Sequence, residues 1–254
     1  MKSAKIKIFR NIIPAIKIYK ELFLIRKDRK KIKAALAAGD LEKEREAIKS
    51  ACVTWSRALM KDFGMEVNVI GRENLPTEGP VVFVANHQSY ADIPACSGTI
   101  DTIQMGYIAK NDLAKIPLYK QWILDVRSVF IKRNDARESL KAILEGISYI
   151  EQGFSLLIFP EGTRSKGGPM KEFKKGSLKL ALKPEVPIVP ITINGTWKCF
   201  ERQGYFKGEK VDLVIHEPIP TKGLSKAEQA AIPEKVENII RKSLEELEAK
   251  EKNI

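Results

Sequence analysis

The distribution of apolar and polar positions divides the chain near residue 63. Beyond that point, short runs of Val, Ile, Leu and Phe alternate with longer segments in which apolar residues recur at helical spacing. Strands alternating with helices predict an α/β fold, with a sheet flanked by helices. The predicted strands cover residues 67–70, 81–85, 103–109, 129–131, 156–159, 188–193 and 211–215, and the predicted helices cover residues 137–151, 174–182 and 233–250.

The pattern before residue 63 is helical throughout. Over residues 6–25, a rotation of about 100° per residue collects the apolar side chains on one broad face. A Gly-Asp pair at residues 39–40 interrupts the pattern, and residues 41–61 predict a further helix. We therefore divide the chain into an N-terminal helical unit, residues 1–62, and an α/β domain, residues 63–254. The expected apolar face holds Ile8, Phe9, Ile12, Ile13, Ala15, Ile16, Tyr19, Leu22 and Phe23, and the opposite face holds Lys7, Arg10, Lys17 and Glu21.

The positive charge of the chain is concentrated in this N-terminal unit. The 254 residues include 44 Lys+Arg and 32 Asp+Glu, a net charge of +12, and residues 1–35 alone carry +10. A helix with a wide apolar face and basic residues opposite can lie in the interface of an anionic membrane. We expect membrane-surface binding, and the alternative is a helix docked on the protein with a solvated basic face. No nucleic-acid partner is expected, since no recognition motif of that class accompanies the basic residues.

The placement of charged residues and cysteines excludes several classes of protein. The longest segment without a charged residue, residues 79–91, is too short for a helix that spans a bilayer, which takes roughly 20 residues. Basic and apolar residues are mixed at the N-terminus, unlike the separate regions of a signal peptide. The cysteines, Cys52, Cys96 and Cys199, are widely spaced and odd in number, which favours a reducing compartment over disulfides. We expect a peripheral membrane protein on the cytoplasmic face.

The first candidate for chemistry follows the predicted strand at residues 81–85. This strand runs into Asn86 and His87, and ligand sites of α/β sheets lie beyond the carboxyl ends of strands. A neutral imidazole accepts a proton near pH 7, and a carboxylate across a short turn can hold its other ring nitrogen. His87 and Asp92 therefore have the spacing of two members of a catalytic triad without its serine, although a lone histidine can equally be structural.

The second candidate follows the predicted strand at residues 156–159. The next residues include Glu161, Gly162, Thr163 and Arg164. A guanidinium group can bind a phosphate through two N–H groups, and a hydroxyl and turn N–H groups add further donors. The pattern thus indicates an anion site, or else a surface turn in which Arg164 pairs with Glu161.

Several other chemistries lack their sequence signatures. The glycines at 162 and 167 have the spacing of a P-loop, but the required Lys and Ser/Thr are absent. Neither the Gly-x-Ser-x-Gly turn of serine hydrolases nor the Gly-x-Gly-x-x-Gly of dinucleotide-binding proteins occurs. The two histidines, His87 and His216, are far apart and lack a His-Glu-x-x-His motif, so no metal site is expected. We predict that His216 is a structural residue at a strand end.

Four ordered motifs within residues 50–220 resemble those of the glycerolipid acyltransferases, and of their 1-acyl-glycerol-3-phosphate acyltransferase members in particular. The resemblance implies a mixed sheet flanked by helices, with an N-terminal helical unit that binds membranes. The motifs are Asn86-His87-Gln88-Ser89-x-x-Asp92, the block from Lys110 through Ile116-Pro117 to Phe130-Ile131-Lys132-Arg133, Phe159-Pro160-Glu161-Gly162-Thr163-Arg164-Ser165 and Val186-Pro187-Ile188-Val189-Pro190.

The resemblance also assigns roles to residues within these motifs. It implies that His87 is the general base and that Asp92 orients it. It further implies that the fourth motif supports an acyl channel. The residues that it implies for substrate binding, chiefly of the glycerol phosphate, are Asn86, Lys110, Arg133, Glu161, Gly162, Thr163 and Arg164.

The activity implied is transfer of an acyl chain from a thioester to the sn-2 hydroxyl of lysophosphatidate, which yields phosphatidate. The donor would be acyl-coenzyme A or acyl carrier protein, the membrane surface would be a partner, and neither a cofactor nor a metal is expected. Direct transfer is favoured because no activated Ser or Cys is recognisable. The alternatives are an acceptor such as glycerol 3-phosphate or another lysolipid, or a non-catalytic binding protein on the same scaffold.

Overall fold

The chain folds as helices around one sheet. The structure, a computed structural model, describes residues 2–116, 118–132, 135–174 and 176–252, and for residues 2–10 it describes the backbone only. The described strands are β1 (Glu66–Ile70), β2 (Val82–Ala85), β3 (Gly106–Lys110), β4 (Val129–Ile131), β5 (Leu156–Ile158), β6 (Ile188–Asn194) and β7 (Lys210–Ile215). The described α-helices are α1 (Lys2–Leu24), α2 (Arg26–Ala38), α3 (Leu41–Phe63), α4 (Asp92–Thr99), α5 (Tyr119–Asp125), α6 (Ala136–Glu151), α7 (Lys179–Leu182), α8 (Thr196–Cys199) and α9 (Lys226–Lys252).

The sheet is mixed, as expected, and its strand order is β1-β7-β6-β2-β5-β3-β4. Strands β2 to β6 are parallel, whereas β7 runs antiparallel to β6 and carries β1 parallel to itself. Strand β2 lies between β5 and β6, and Val82 pairs with Leu156 on one side and with Ile188 on the other. The carboxyl ends of β2 and β5 therefore lie at the same edge of the sheet.

Both faces of β2 are covered, which explains its continuous run of apolar residues. Phe83 and Ala85 belong to a hydrophobic cluster on the side of α4. Val82 and Val84 belong to a second cluster on the opposite side, where α6 and α9 pack. A strand buried on both faces positions the residues that follow it within narrow limits.

The N-terminal helices share a third hydrophobic cluster with the rest of the molecule. Ile25 and Ile32 pack with Trp55 of α3 and with Phe154, which lies two residues before β5. The domain boundary at residue 62 remains a prediction. Secondary structure changes there, but apolar side chains from the two sides of the boundary pack against each other.

Helix α1 rests on the protein through its polar side. The side-chain amide of Asn11 donates to the main-chain carbonyl of Gly204 at 2.7 Å, and the Lys20 ammonium lies 3.7 Å from a carboxylate oxygen of Asp62. The Lys17 ammonium donates to the main-chain carbonyl of Asp62, at the end of α3. These contacts keep the polar side of the helix on the protein.

The apolar side of α1 faces outward. Ile13 is 65% exposed, and Ile16 and Phe23 are each 61% exposed. Leu22 does not belong to this face, because it is buried in the third cluster. Among the described side chains, the predicted two-sided helix is correct apart from Leu22, but it docks by its polar side, which neither predicted arrangement included. The predicted positions at residues 7–10 lie outside the described side chains. None of the described helices has the length and apolar content needed to cross a membrane.

Some predicted elements differ in extent. The helix expected over residues 174–182 is reduced to α7, because Gly176 takes a left-handed φ of 88° that interrupts a helix. Helix α9 begins at Lys226 rather than at Pro233, because Ser225 and Glu228 cap it reciprocally. Helices α4 and α5 were missed, since seven or eight residues are too few for a clear period.

Candidate active site

The turns that follow β2 and β5 are hydrogen-bonded to each other at the edge of the sheet. The Ser165 N–H donates to the main-chain oxygen of His87 at 2.8 Å, and the Lys166 N–H donates to that of Gln88 at 3.2 Å. In the other direction, the His87 N–H donates to a Glu161 carboxylate oxygen at 2.6 Å. The two predicted candidates therefore form one site.

His87 and Asp92 are in direct contact. The ring Nδ1–H of His87 donates to Oδ2 of Asp92 at 2.6 Å, since a carboxylate only accepts. The ring stacks on Phe159 with centroids 4.1 Å apart, which fixes its plane. Nε2 has no hydrogen-bond partner among the described residues, and His87 lines the main cavity. The arrangement is that of a base whose free nitrogen points to a ligand site.

Asp92 is fully buried in the first turn of α4. Its Oδ2 also accepts the main-chain N–H groups of Gln88 at 2.8 Å and Ser89 at 3.0 Å. Its Oδ1 accepts the hydroxyl of Thr196, the first residue of α8. A carboxylate so fully hydrogen-bonded cannot rotate, so it holds the imidazole in a single orientation. Thr196 could not be found from the sequence, because 104 residues separate it from Asp92.

Asn86 supports the framework of the site. Its side-chain amide donates to the carbonyl of Ile193 at 2.8 Å and accepts the N–H of the same residue at 2.7 Å. Both amide atoms are thus engaged with β6, and the side chain is buried. Asn86 therefore joins the end of β2 to β6, and its expected substrate contact stays a prediction.

Glu161 is also held by the main chain. Besides the His87 N–H, its carboxylate accepts the N–H of Lys171 at 2.9 Å. Burial raises the pKa of Glu161, and the two N–H donors offset only part of this rise. The carboxylate braces the main chain at His87, and Arg164 does not pair with it.

Arg164 instead pairs with a residue outside the predicted motifs. Its Nη1 donates to Oε1 of Glu201 at 2.6 Å, and its guanidinium carbon lies 3.5 Å from the ring centroid of Tyr90. The other carboxylate oxygen of Glu201 accepts the hydroxyl of Ser89 at 2.5 Å. Glu201 had no sequence signal, because its partners come from turns 37 and 112 residues away.

Three of the remaining predicted residues, Lys110, Gly162 and Thr163, line the cavity. Gly162 has a φ of 68°, a left-handed backbone conformation that favours glycine, and it lies beside the side chain of Lys174. Thr163 is exposed in the same turn. Lys110 lines the cavity and pairs with Asp112. The predicted residue Arg133 lies outside the described residues.

The cavity has a volume of about 950 Å³ and extends from a polar mouth into an apolar region. Strand register places Tyr107 beside Leu157 and Leu157 beside Phe83, four residues before His87. At about 3.3 Å per residue, the cavity wall at Tyr107 lies about 7 Å below the end of β2 at Ala85. The apolar and aromatic residues of the wall include Cys52, Trp55, Ile93, Tyr107, Trp122, Ile123 and Val126.

Known proteins are similar to this chain in sequence and in fold. A family model described as Acyltransferase matches residues 66–194, half of the chain, including both turns of the site. The chain belongs to the acyltransferase family. A 1-acyl-sn-glycerol-3-phosphate acyltransferase of Borreliella burgdorferi is 32% identical over 183 residues, which cover 72% of this chain and 73% of that protein.

Other members of the acyltransferase family are similar over shorter or longer stretches. The chloroplast 1-acyl-sn-glycerol-3-phosphate acyltransferase of Arabidopsis thaliana is 35% identical over 61% of this chain, and the match covers 44% of that protein. The chain spans about half the length or less of its plant and algal relatives. The crystal structure of the 1-acyl-sn-glycerophosphate acyltransferase PlsC from Thermotoga maritima superposes with a TM-score of 0.72 at 30% identity, covering 96% of this chain and 98% of that one.

Within this acyltransferase fold, the thiols are poor nucleophiles. All three cysteines are free and buried. Burial raises the pKa of Cys52 and of Cys199 to about 12, and that of Cys96 well above its usual value. Among the described residues, no three His, Cys, Asp or Glu side chains form a group that could hold a metal ion.

Proposed function

We propose that the protein transfers an acyl chain from a thioester to the sn-2 hydroxyl of lysophosphatidate, which yields phosphatidate. The observation that carries this proposal is the His87–Asp92 pair, whose free Nε2 lies at the junction of a polar mouth and an apolar cavity. An acyl donor and a phosphorylated acceptor need these two environments side by side.

In this mechanism, Nε2 of His87 removes the proton from the hydroxyl as its oxygen attacks the thioester carbonyl carbon. Asp92 stabilises the imidazolium that forms. The tetrahedral intermediate then breaks its C–S bond, and His87 returns the proton to the leaving thiolate. The main-chain N–H groups of Thr163 and Arg164 have no acceptor among the described residues, and their turn lines the cavity, so they can donate to the oxyanion.

Direct transfer is favoured over a covalent acyl-enzyme. The Ser89 hydroxyl is buried and donates to Glu201, so it is not available as a nucleophile. The raised pKa values of the thiols, Cys52 among them, oppose an acyl-cysteine. The acyl chain therefore passes directly from the thioester to the hydroxyl of the acceptor.

A phosphorylated acceptor is favoured by the cations that line the cavity. Arg164 and Lys174 line the cavity within the same turn region as Gly162. A guanidinium and an ammonium suit a phosphate monoester. The apolar part of the cavity supplies the surroundings for an acyl chain, whose burial contributes about 0.8 kcal/mol per CH₂.

The reaction is tested by thiol release from acyl-coenzyme A by the purified protein in detergent, with wild type and His87→Ala compared. We expect release that requires lysophosphatidate, and its abolition in the variant without a change in the melting temperature. Glycerol 3-phosphate, another lysolipid and an acyl carrier protein donor are assayed in parallel. Turnover retained by His87→Ala would show that the base is misassigned, and failure of every donor and acceptor would leave only a binding function.

We further propose that α1 binds the surface of an anionic membrane on the cytoplasmic side. Its outward face exposes Ile13, Ile16 and Phe23, while basic residues flank it along the helix. Full burial of one such side chain contributes about 1.5–3 kcal/mol. Both substrate and product are lipids, so an enzyme held at the surface meets them there.

This attachment is tested by co-sedimentation with phosphatidylglycerol vesicles. We expect Ile13→Glu with Ile16→Glu to reduce binding at least tenfold and added salt to weaken the binding of wild type. Leu140→Glu is the matched control, because Leu140 is 54% exposed but lies on α6. Equal binding of both variants would contradict the role of α1. Deletion of residues 1–35 is a poorer test, because it removes Ile25 and Ile32 from the third cluster.

A further inference from the structure

Glu201 lies outside the residues that match the family model and yet contacts both turns of the site. It follows α8 in the segment that leads to β7. Its side chain is only 4% exposed. A carboxylate loses much of its hydration on burial and is retained only where charged or polar partners replace the water.

Both partners of Glu201 are active-site residues. Oε1 accepts Nη1 of Arg164 at 2.6 Å, and Oε2 accepts the Ser89 hydroxyl at 2.5 Å. Ser89 in turn accepts the N–H of Ala91 at 3.1 Å and donates its own N–H to Asp92. A single buried carboxylate thus connects the arginine to the turn that carries the catalytic pair.

The contacts of Arg164 leave one side of its guanidinium free. Nη1 is engaged by Glu201, and the ring of Tyr90 covers one face at 3.5 Å. Nε and Nη2 have no acceptor among the described residues. Two N–H groups on one side of a guanidinium are the donors that bind two oxygens of a phosphate.

We propose that Glu201 is a positioning residue that holds Arg164 with Nε and Nη2 directed at the phosphate of lysophosphatidate. The inference rests on the proposed function. Without Glu201, the long side chain of Arg164 would regain rotamer freedom. Binding the phosphate would then cost the entropy of ordering that side chain, which weakens the affinity.

A competing effect has the opposite sign. The negative charge of Glu201 opposes a nearby phosphate, so its removal alone would strengthen binding. If orientation dominates, the KM for lysophosphatidate rises when Glu201 is replaced. If electrostatic repulsion dominates, the KM falls, and it falls most clearly in Glu201→Gln, which retains the shape and a hydrogen bond to Ser89.

The experiment compares Glu201→Ala, Glu201→Gln and Glu201→Asp with wild type in the detergent assay. We expect Glu201→Ala to raise the KM for lysophosphatidate about tenfold while kcat changes less than threefold, and Glu201→Asp to recover part of the loss. A merely structural defect would lower kcat by reducing the folded fraction and would not move the KM. The matched control is Glu209→Gln, because Glu209 pairs with Arg202 at 2.5 Å in the same segment but away from the site.

A double-mutant cycle with Arg164→Ala tests whether Glu201 acts through the arginine. We expect Glu201→Ala to have no further effect on the KM in the Arg164→Ala background. An equal effect in both backgrounds, an unchanged KM in all three single variants, or a lower KM in Glu201→Gln would overturn the proposal.

Calorimetric binding of glycerol 3-phosphate to the same proteins separates this inference from the proposed function. If wild type binds the phosphate but transfers no acyl chain, the proposed function fails. In that case a tenfold weaker affinity in Glu201→Ala supports the positioning of Arg164, and an unchanged affinity refutes it.

Discussion

Replacing Asp92 with asparagine tests the proposed mechanism because it removes a charge while keeping the shape of the side chain. The amide oxygen can take the place of Oδ2, where it meets the Nδ1–H of His87 and the N–H groups of Gln88 and Ser89. The amide NH₂ then faces the hydroxyl of Thr196, which can accept a hydrogen bond instead of donating one. We expect Asp92→Asn to fold.

The loss of rate follows from the missing carboxylate charge. When His87 becomes an imidazolium, its charge lies about 4 Å from that of Asp92, and two opposite charges at this distance attract by about 4 kcal/mol at an effective dielectric constant near 20. Asp92 is fully buried, so water does not replace this interaction. Because each 1.36 kcal/mol corresponds to a factor of about ten in rate, we expect kcat to fall by about three orders of magnitude.

The assay is thiol release from acyl-coenzyme A with lysophosphatidate in detergent, measured for kcat and KM. We expect the KM for lysophosphatidate to remain within about threefold, because Asp92 does not touch the phosphate. The control is Asp101→Asn, a carboxylate that pairs with Arg57 and Arg72 away from the site. A kcat within tenfold of wild type in a folded Asp92→Asn protein would refute the proposed role of Asp92 in stabilising the imidazolium.

Two further predictions concern stability. Arg127→Ala removes one partner of a buried ion pair, in which the Arg127 guanidinium donates to both oxygens of Glu44 at 2.6 and 2.8 Å. We expect the free energy of unfolding in urea to fall by about 3–5 kcal/mol. The control is Lys49→Ala on the surface of α3, for which we expect a loss of less than about 1 kcal/mol. Equal losses would contradict this prediction. Burial lowers the pKa of His216, whose ring contacts the Thr192 hydroxyl at 2.8 Å. The unfolded chain therefore binds more protons than the folded one, and stability is lost as the pH falls below the ordinary histidine pKa of 6.5. We expect His216→Asn to flatten the pH dependence of the melting temperature between pH 7 and 5, and an unchanged slope would show that other groups cause it.

The parts of the protein that depend on neighbours in the sequence were predictable. Each of the seven strands overlaps the apolar run that predicted it, because burial on a sheet requires such runs wherever the strand lies. The His87–Asp92 contact was also predictable, because the two residues are five apart and a single turn joins them. Local spacing is enough for a contact of this kind.

Tertiary structure alone decided which side of α1 meets the protein. Helical periodicity separates Ile13 and Ile16 from Lys17 and Glu21, but it does not say which side is covered. The surface at the end of α3 offers a main-chain carbonyl at Asp62 to the Lys17 ammonium, so the polar side docks there. The outcome depends on a surface that the pattern of α1 does not contain.

The supports of the site were likewise hidden in the sequence. Thr196 and Glu201 follow β6 in the sequence. They reach Asp92 and Arg164 only because β2 lies between β5 and β6 in the sheet. Sequence patterns record what each segment buries, whereas the order of strands decides which distant segments meet. The contact between His87 and Asp92 was therefore determined by local sequence, whereas the contacts that hold the pair in place were determined by the packing of the sheet.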